Sequence, residues 1–163
     1  MEVKYIQNMF TMLRGGKMER CFLIGHHDAP LELYPYILEA VERHITQYDV
    51  GHFLVGCTGD FDLMAIRALR EAKKKYPYIK AMLLTPYSYA ECPLETPLGF
   101  DGIYYPERME IVADLLRVTE ANRKAVVRSD HVIAYMHRKT GRTAGAVGFA
   151  LSYEKIITFL PDI

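Results

Sequence analysis

The chain contains two similar stretches, Cys21-Phe-Leu-Ile-Gly-His-His-Asp28 and His52-Phe-Leu-Val-Gly-Cys-Thr-Gly-Asp-Phe-Asp62. In each stretch a short apolar run ends at a glycine, and an amphipathic segment follows, an order typical of strand, turn and helix in α/β sheets that bind nucleotides. A glycine at the carboxyl end of a strand lets the backbone approach a ligand, and the next helix offers free N–H groups to a phosphate. The two stretches therefore predict a ligand-binding site between strand ends and helix starts.

Length and composition are those of one globular domain. The chain has 163 residues, 50% of them hydrophobic, enough to bury a core without disulfide or metal staples. Lys and Arg together number 20, as do Asp and Glu, so no global field favours nucleic acid, and no nucleic-acid partner is expected. Three cysteines without a CxxC spacing argue against a disulfide framework and a zinc site, and favour the cytoplasm.

Targeting segments are not apparent in the sequence. No apolar stretch approaches the roughly 20 residues of a membrane span, and no signal peptide precedes the first strand, so a soluble cytoplasmic protein is expected. Residues 1–17 end shortly after a Gly-Gly pair and are predicted to form an N-terminal extension, either a helix or a flexible arm. Residues 18–163 are predicted to form a single Rossmann-like domain.

Hydrophobic periodicity predicts alternating strands and helices along this domain. The pattern predicts a three-layer Rossmann-like α/β fold, in which a mainly parallel five-stranded sheet is flanked by helices. The segment 87–100 has no periodicity and is predicted to be a long loop, either mobile or functional. The predicted strands cover 20–25, 51–56, 79–85, 131–135 and 155–159, the predicted helices cover 33–48, 61–76, 111–128 and 140–152, and 102–105 is a short extended piece.

The turn after the second strand is the strongest local signal. Gly56 and Gly59 frame a turn whose amides can bind an anion, but the turn is neither a P-loop nor a GxGxxG fingerprint, so neither ATP hydrolysis nor hydride transfer is indicated. Asp62 is a candidate ligand contact. Alternatively, Asp60 and Asp62 cap the helix, and for Asp60 the cap is the preferred interpretation. Cys57 is interpreted as a small residue beside the ligand, with an activated thiol nucleophile as the alternative.

Two further groups are candidates for ligand contact. Adjacent side chains leaving a strand usually diverge, so His26 and His27 do not predict a metal site; one is expected to contact a base or phosphate while the other packs on the surface. The segment Thr140-Gly-Arg-Thr-Ala-Gly145 predicts a second anion site, because hydroxyls and free amides gather at the start of the last helix. No metal and no cofactor are expected.

Several segments together resemble a known family. They resemble DUF1273-type members of the SLOG superfamily, which are relatives of the lysine-decarboxylase-like LOG proteins and of the core domain of DNA-processing protein A. The resemblance implies a Rossmann-like sheet whose glycine turns bind a nucleotide or nucleotide-derived molecule. The segments are Phe22–Asp28, Phe53–Met64, Lys75-Tyr-Pro77, Phe100–Glu107, Asn122-Arg123, Ser129–Tyr135 and the turn at Thr140.

The resemblance adds Asn122 and Arg123 to the predicted ligand-binding residues. No catalytic residue is assigned. The set is Gly25, His26, His27, Gly56, Cys57, Thr58, Gly59, Asp62, Asn122, Arg123, Thr140, Gly141 and Thr143.

The chain also departs from the LOG enzymes, which cut the glycosidic bond of a nucleoside monophosphate. They carry Pro-Gly-Gly-x-Gly-Thr-x-x-Glu where this chain has Thr140–Gly148, so their glutamate has no counterpart. This favours binding without turnover, by a bacterial nucleotide sensor or binding module that forms a homo-oligomer by analogy. One alternative is a nucleotide N-glycosidase or phosphoribohydrolase that uses Asp62, Asp28, Glu91 or Glu95; another is an assembly module with a vestigial pocket.

Overall fold

The computed structural model describes residues 16–163, together with Ile6 and Met9. The predicted N-terminal extension thus lies almost wholly outside the described residues. The described part is an α/β fold with six strands and four α-helices. No helix in it has the length and apolar character that a membrane crossing requires.

The elements follow one another in a nearly regular strand-helix alternation, with short 3-10 turns at Leu31–Leu33, Met109–Ile111 and Asp114–Leu116. The strands are β1 (Glu19–Gly25), β2 (Val50–Val55), β3 (Lys80–Leu84), β4 (Gly102–Tyr104), β5 (His131–Tyr135) and β6 (Ile156–Phe159), and the helices are α1 (Tyr34–Gln47), α2 (Gly59–Lys75), α3 (Arg117–Arg128) and α4 (Gly141–Ser152).

The strands form one sheet in the order β4-β3-β2-β1-β5-β6, and every neighbouring pair is parallel. The predicted count of five strands was one too few. The piece that was predicted only as extended is strand β4, which pairs Gly102 with Met82 and Tyr104 with Leu84. This strand has three half-buried residues, so it carries no apolar run by which a strand is recognised.

Two apolar layers cover the faces of the sheet, as predicted. Phe22 and Leu23 are adjacent in β1 and both almost fully buried, because successive side chains of a strand point to opposite faces. Leu23 packs in the layer formed with α1 and α2, whereas Phe22 packs in the layer formed with α3 and α4. Strand β1 thus lies inside the sheet, between β2 and β5, with both of its faces buried.

Helix α3 begins later than the periodicity predicts. The helix was predicted from residue 111, but Val112 and Ala113 have extended backbone angles, and the α-helix starts at Arg117. The Nε of Arg117 donates to the Val112 carbonyl at 3.2 Å. A side chain thus holds the segment in an extended form that apolar spacing alone does not indicate.

Candidate functional site

A cavity of about 690 Å³ opens at the carboxyl edge of the sheet. The ends of β1, β2 and β3 reach it, and α2 and α4 begin at its rim. Beside β1 the connections change direction, since β1 leads to β2 on one side and pairs with β5 on the other. Ligands of open parallel sheets bind at such a switch point, so this cavity, here called the carboxyl-edge cleft, is the candidate site.

The structure brings eleven of the thirteen predicted residues to this cleft, all except Arg123 and Thr140. The Thr140 carbonyl lies just behind the wall, 3.2 Å from Nε2 of His26. The Arg123 guanidinium instead lies over the Phe149 ring, 5.4 Å from its centre, and does not reach the cleft. The eleven lining residues are Gly25, His26, His27, Gly56, Cys57, Thr58, Gly59, Asp62, Asn122, Gly141 and Thr143.

The two glycine turns of the sequence pack directly on each other. The amide of Asp60 donates to the His27 carbonyl at 2.7 Å. Gly59 has φ +89°, and a Cβ there would lie 2.7 Å from Cα of His27. A Cβ on Gly25 would lie 2.4 Å from the Phe61 ring. The glycines thus set the close contact between β1 and the start of α2, which shapes one wall of the cleft.

Asp62 caps the turn before α2. Its Oδ2 accepts a hydrogen bond of 2.9 Å from the amide of Thr58, and a Cβ on Gly56 would lie 2.7 Å from the same oxygen. Of the two aspartates considered as helix caps, Asp62 makes this contact, whereas the Asp60 side chain is exposed. Burial raises the pKa of Asp62 to about 7, so this carboxyl is near half protonation at neutral pH.

Cys57 does not have the properties of a nucleophile. Burial raises the pKa of its thiol, and the charges of Asp62 and Cys92 add to the effect. An activated cysteine needs the opposite, a lowered pKa that yields a thiolate. The raised pKa therefore does not favour the alternative of an activated nucleophile, and Cys57 lies in the cleft wall.

The two adjacent histidines have different surroundings. His26 is 3% exposed, whereas His27 is exposed. The amide of His137 donates to Nδ1 of His26 at 3.3 Å, and Nε2 of His26 then donates to the Thr140 carbonyl at 3.2 Å. Burial lowers the pKa of His26, which favours this neutral form. His26 thereby holds the ends of β1 and β5 and the start of α4 together.

The start of α4 offers free donors to the cleft. Its N-cap, Thr140, makes no side-chain capping bond, and no acidic residue lies in the first turn. Gly141, at φ +92°, has nothing within 4 Å of where a Cβ would stand. The first-turn amides thus lack the capping side chains that usually satisfy them, and they carry the positive end of the helix dipole.

Arg142 strengthens this positive end. Its side chain is exposed, lies in the first turn of α4 and lines the cleft, and it makes no ion pair with any residue of the described part of the chain. A cation in the first turn is repelled by the positive end of the helix dipole. An anionic ligand bound there would relieve this repulsion. Arg142 lies inside the segment predicted as an anion site but is not in the set of predicted ligand-binding residues. A basic residue in the first turn of a helix could have identified it.

A second arginine that sequence reasoning missed lies at the rim. Nη1 of Arg138 donates to both carboxylate oxygens of Asp28, at 3.2 and 3.1 Å, and to Nε2 of His137 at 2.7 Å. The side chain is partly exposed and lines the cleft. Its position follows from the end of β5, which no sequence motif marks.

The long loop 87–100 forms part of the cleft wall through Tyr87, Cys92 and Leu94. It contains no helix or strand, as predicted, and it is tied to α3 by the ion pair between Glu91 and Arg117 at 2.8 Å. Of the four carboxylates considered as catalytic alternatives, only Asp62 lines the cleft. Glu91 and Asp28 are paired with arginines.

Comparison with known proteins gives one informative likeness. No protein-family model matches the chain, and no curated protein matches it. The fold is similar to that of DNA processing protein A from Helicobacter pylori, with a TM-score of 0.61 over 89% of this chain and 66% of that one. The two sequences are 16% identical, so the likeness establishes a fold like that of DNA processing protein A and nothing finer.

This neighbour corrects two sequence-based predictions. We predicted a sensor of a nucleotide or nucleotide-derived small molecule, with a phosphoribohydrolase as the alternative, and no nucleic-acid partner. The neighbour with this fold has a single-stranded DNA binding mode, which contradicts both predictions. The error arose because a net charge of zero averages over the whole surface, whereas attraction of a phosphate chain depends on where the basic groups lie.

Proposed function

We propose that this chain binds single-stranded nucleic acid in the carboxyl-edge cleft. The observation that carries the proposal is the position of Arg142 at the mouth of a cavity of about 690 Å³. It lies in the uncapped first turn of α4 and makes no ion pair with the described residues. A nucleotide unit of a single strand would place its phosphate at the start of α4 and its base in the cavity. The DNA-binding neighbour of like fold supports this ligand class.

The phosphate half of the site is built from backbone and cationic donors. Free amides at the start of a helix bind phosphate oxygens, and a nearby guanidinium adds charge-assisted hydrogen bonds. Arg138 and Arg142 both line this end of the cleft. Asp28 pairs with Arg138, so the positive charge of Arg142 remains for a phosphate.

The base half is a largely apolar recess. Its walls include Leu84, Leu94, Val118 and Ala121, with the Tyr87 side chain beside them. A volume of this size accepts a planar base, and an aromatic ring offers a stacking partner. A base paired within a duplex cannot enter such a recess without leaving the stack. Depth and lining therefore favour a single strand over a duplex.

The narrower assignment to the SLOG superfamily stays a proposal. It is supported by the order of the glycine turns along the chain and by a fold like that of DNA processing protein A, a relative of that superfamily in the resemblance above. The Phe100–Glu107 segment of the resemblance contains strand β4, and the Ser129–Tyr135 segment contains β5.

A competition experiment tests the proposed ligand class. A fluorescein-labelled oligothymidylate of about 20 nucleotides is bound to the purified full chain, and unlabelled competitors are added while anisotropy is recorded. We expect the same single strand to compete at least tenfold better than a duplex of equal length. Equal competition by duplex would contradict a recess for an unstacked base. Competition by a nucleoside monophosphate at micromolar concentration, without any competition by oligonucleotide, would contradict the proposal as a whole.

A further inference from the structure

A row of basic side chains crosses the opposite, amino edge of the sheet. Arg20 of β1 is in register with His52 of β2, and His52 is in register with Lys80 of β3. They share the face of the sheet that α3 and α4 cover, since each stands two positions before Phe22, Leu54 and Met82 of that layer. These three residues are called the basic row.

Helix α3 adds a third permanent cation, beside those of Arg20 and Lys80. The Arg128 guanidinium lies 4.3 Å from the centre of the Tyr104 ring, and both residues line one small hollow together with the basic row. The permanent positive charges of Arg20, Lys80 and Arg128 thus stand around one hollow, and like charges held close together repel one another. The cluster therefore has an electrostatic cost that an anion would relieve.

Acidic groups near the row neutralise it only in part. Lys80 lies 3.7 Å from a carboxylate oxygen of Asp101, but that carboxylate also binds Lys73. Asp130 accepts the backbone amide of Arg20 at 2.9 Å rather than its guanidinium. In the described part of the chain, the guanidinium groups of Arg20 and Arg128 make no ion pair.

His52 reports the charge of the cluster. Its pKa is lowered, first by burial and then by Arg20, Arg128 and Lys80, while Asp101 acts in the opposite direction. These are the charged groups that face it from β1, from α3, from β3 and from the segment before β4. An anion among them would favour the imidazolium form and raise this pKa.

The hollow has a volume of about 40 Å³. At roughly 10–15 Å³ for each water molecule it holds about three, which is room for a tetrahedral oxyanion but not for a base or a sugar. We propose that Arg20, His52, Lys80 and Arg128 bind a phosphate group at the amino edge of the sheet. This site is separate from the carboxyl-edge cleft and does not depend on the function proposed for it.

The phosphate has two possible sources, a free anion or a phosphodiester of a nucleic-acid strand. Both are tested by following the imidazole signals of the full chain by NMR, with His52→Gln to assign the His52 signal. The probes are inorganic phosphate and, separately, an oligothymidylate of about 20 nucleotides. We expect the His52 signal to move and its pKa to rise with one or both probes. A response to phosphate indicates a free anion, and a response to the oligonucleotide alone indicates a phosphodiester.

Charge-neutral variants separate a binding role from a structural one. Arg20→Gln and Arg128→Gln are each expected to weaken the His52 response about tenfold. Arg20→Gln, which removes no ring contact, is also expected to raise the midpoint of thermal unfolding without phosphate, because repulsion is relieved. Residues that only support the fold would lower that midpoint instead. Arg43→Gln, on the other face, is the control. If neither probe moves the wild-type His52 signal, the proposal is overturned. This readout uses the wild-type protein, so it does not depend on whether a variant folds.

Discussion

The amide of Thr58 donates a 2.9 Å hydrogen bond to Oδ2 of Asp62 and thereby fixes a carboxyl group in the wall of the carboxyl-edge cleft. Burial raises the pKa of that carboxyl to about 7, within the range in which proteins are handled. The protonation state of Asp62 therefore affects both the stability of the turn and the charge of the cleft wall.

Asp62→Asn is expected to stabilise the protein at high pH. The folded-state pKa of about 7 exceeds the unfolded value, so between roughly pH 4 and 7 the folded state holds more protons, and the free energy of unfolding falls as pH rises. The asparagine keeps a carbonyl acceptor for the Thr58 amide but does not ionise. We expect it to be more stable than wild type by roughly 2–4 kcal/mol at pH 8.

Urea unfolding at several pH values measures this difference. The gain should shrink as pH falls from 7 toward 4, because the carboxyl of the unfolded wild-type chain then becomes protonated as well and the cost of keeping the folded carboxyl neutral disappears. A gain that does not change with pH, or a loss of stability at pH 8, would show that Asp62 is not the titrating group.

The same substitution is expected to change how nucleic-acid binding depends on pH. Ionised Asp62 repels phosphates, so wild-type affinity for a single strand should fall as pH rises through about 7. The Asp62→Asn protein should bind about two- to fivefold more tightly than wild type at pH 8 and equally at pH 5.5. Anisotropy titrations at constant ionic strength measure both. Identical profiles for the two proteins would place the bound strand away from Asp62.

Gly59→Ala is expected to lower the free energy of unfolding by about 1–3 kcal/mol or more. The residue has φ +89°, and the new methyl group would lie 2.7 Å from Cα of His27, a backbone atom that cannot easily move. Gly145→Ala is the matched control, since that position is inside α4 with nothing within 4 Å. The control should gain up to about 1 kcal/mol. Equal effects of both substitutions in urea unfolding would refute the packing of the two turns.

Arg117→Met is expected to release the loop 87–100. The Arg117 side chain is 7% exposed and binds Glu91 of the loop and the Val112 carbonyl. Without it, Glu91 loses its ion-pair partner, and amide hydrogen exchange in the loop should accelerate by about tenfold or more, equivalent to roughly 1.4 kcal/mol. Exchange in β1 should not change. Unchanged exchange in the loop would show that the ion pair does not hold it in place.

The sequence indicated the layers of the fold more completely than its details. Strand β1 was recognised as central because Cys21–Ile24 is a continuous apolar run, as a strand buried on both faces requires. Strand β4 has no such run, and the delayed start of α3 depends on a contact of the Arg117 side chain. Both depend on neighbours distant in sequence, which periodicity cannot reveal.

The candidate site was located from sequence, but its charges were not. The glycine turns identified the carboxyl edge, because a glycine between a strand and a helix allows the tight turn that is needed there. Arg138 and Arg142 reach that edge from β5 and α4, more than a hundred residues after the first turn. A composition without net charge gave no sign that they would meet there, which led to the wrong prediction about nucleic acid.

The measurement that tests the central claim most directly compares Arg142→Gln with Arg43→Gln in binding a labelled single strand. Both substitutions remove one positive charge, but Arg43 lies on α1 beside Glu39, away from the cleft. We predict that Arg142→Gln weakens binding about tenfold, as loss of a charged hydrogen bond to phosphate implies, and lowers the salt dependence by about 0.7 in log–log slope, whereas Arg43→Gln changes neither. Equal effects of the two substitutions, or none from Arg142→Gln, would contradict binding of the strand at the start of α4.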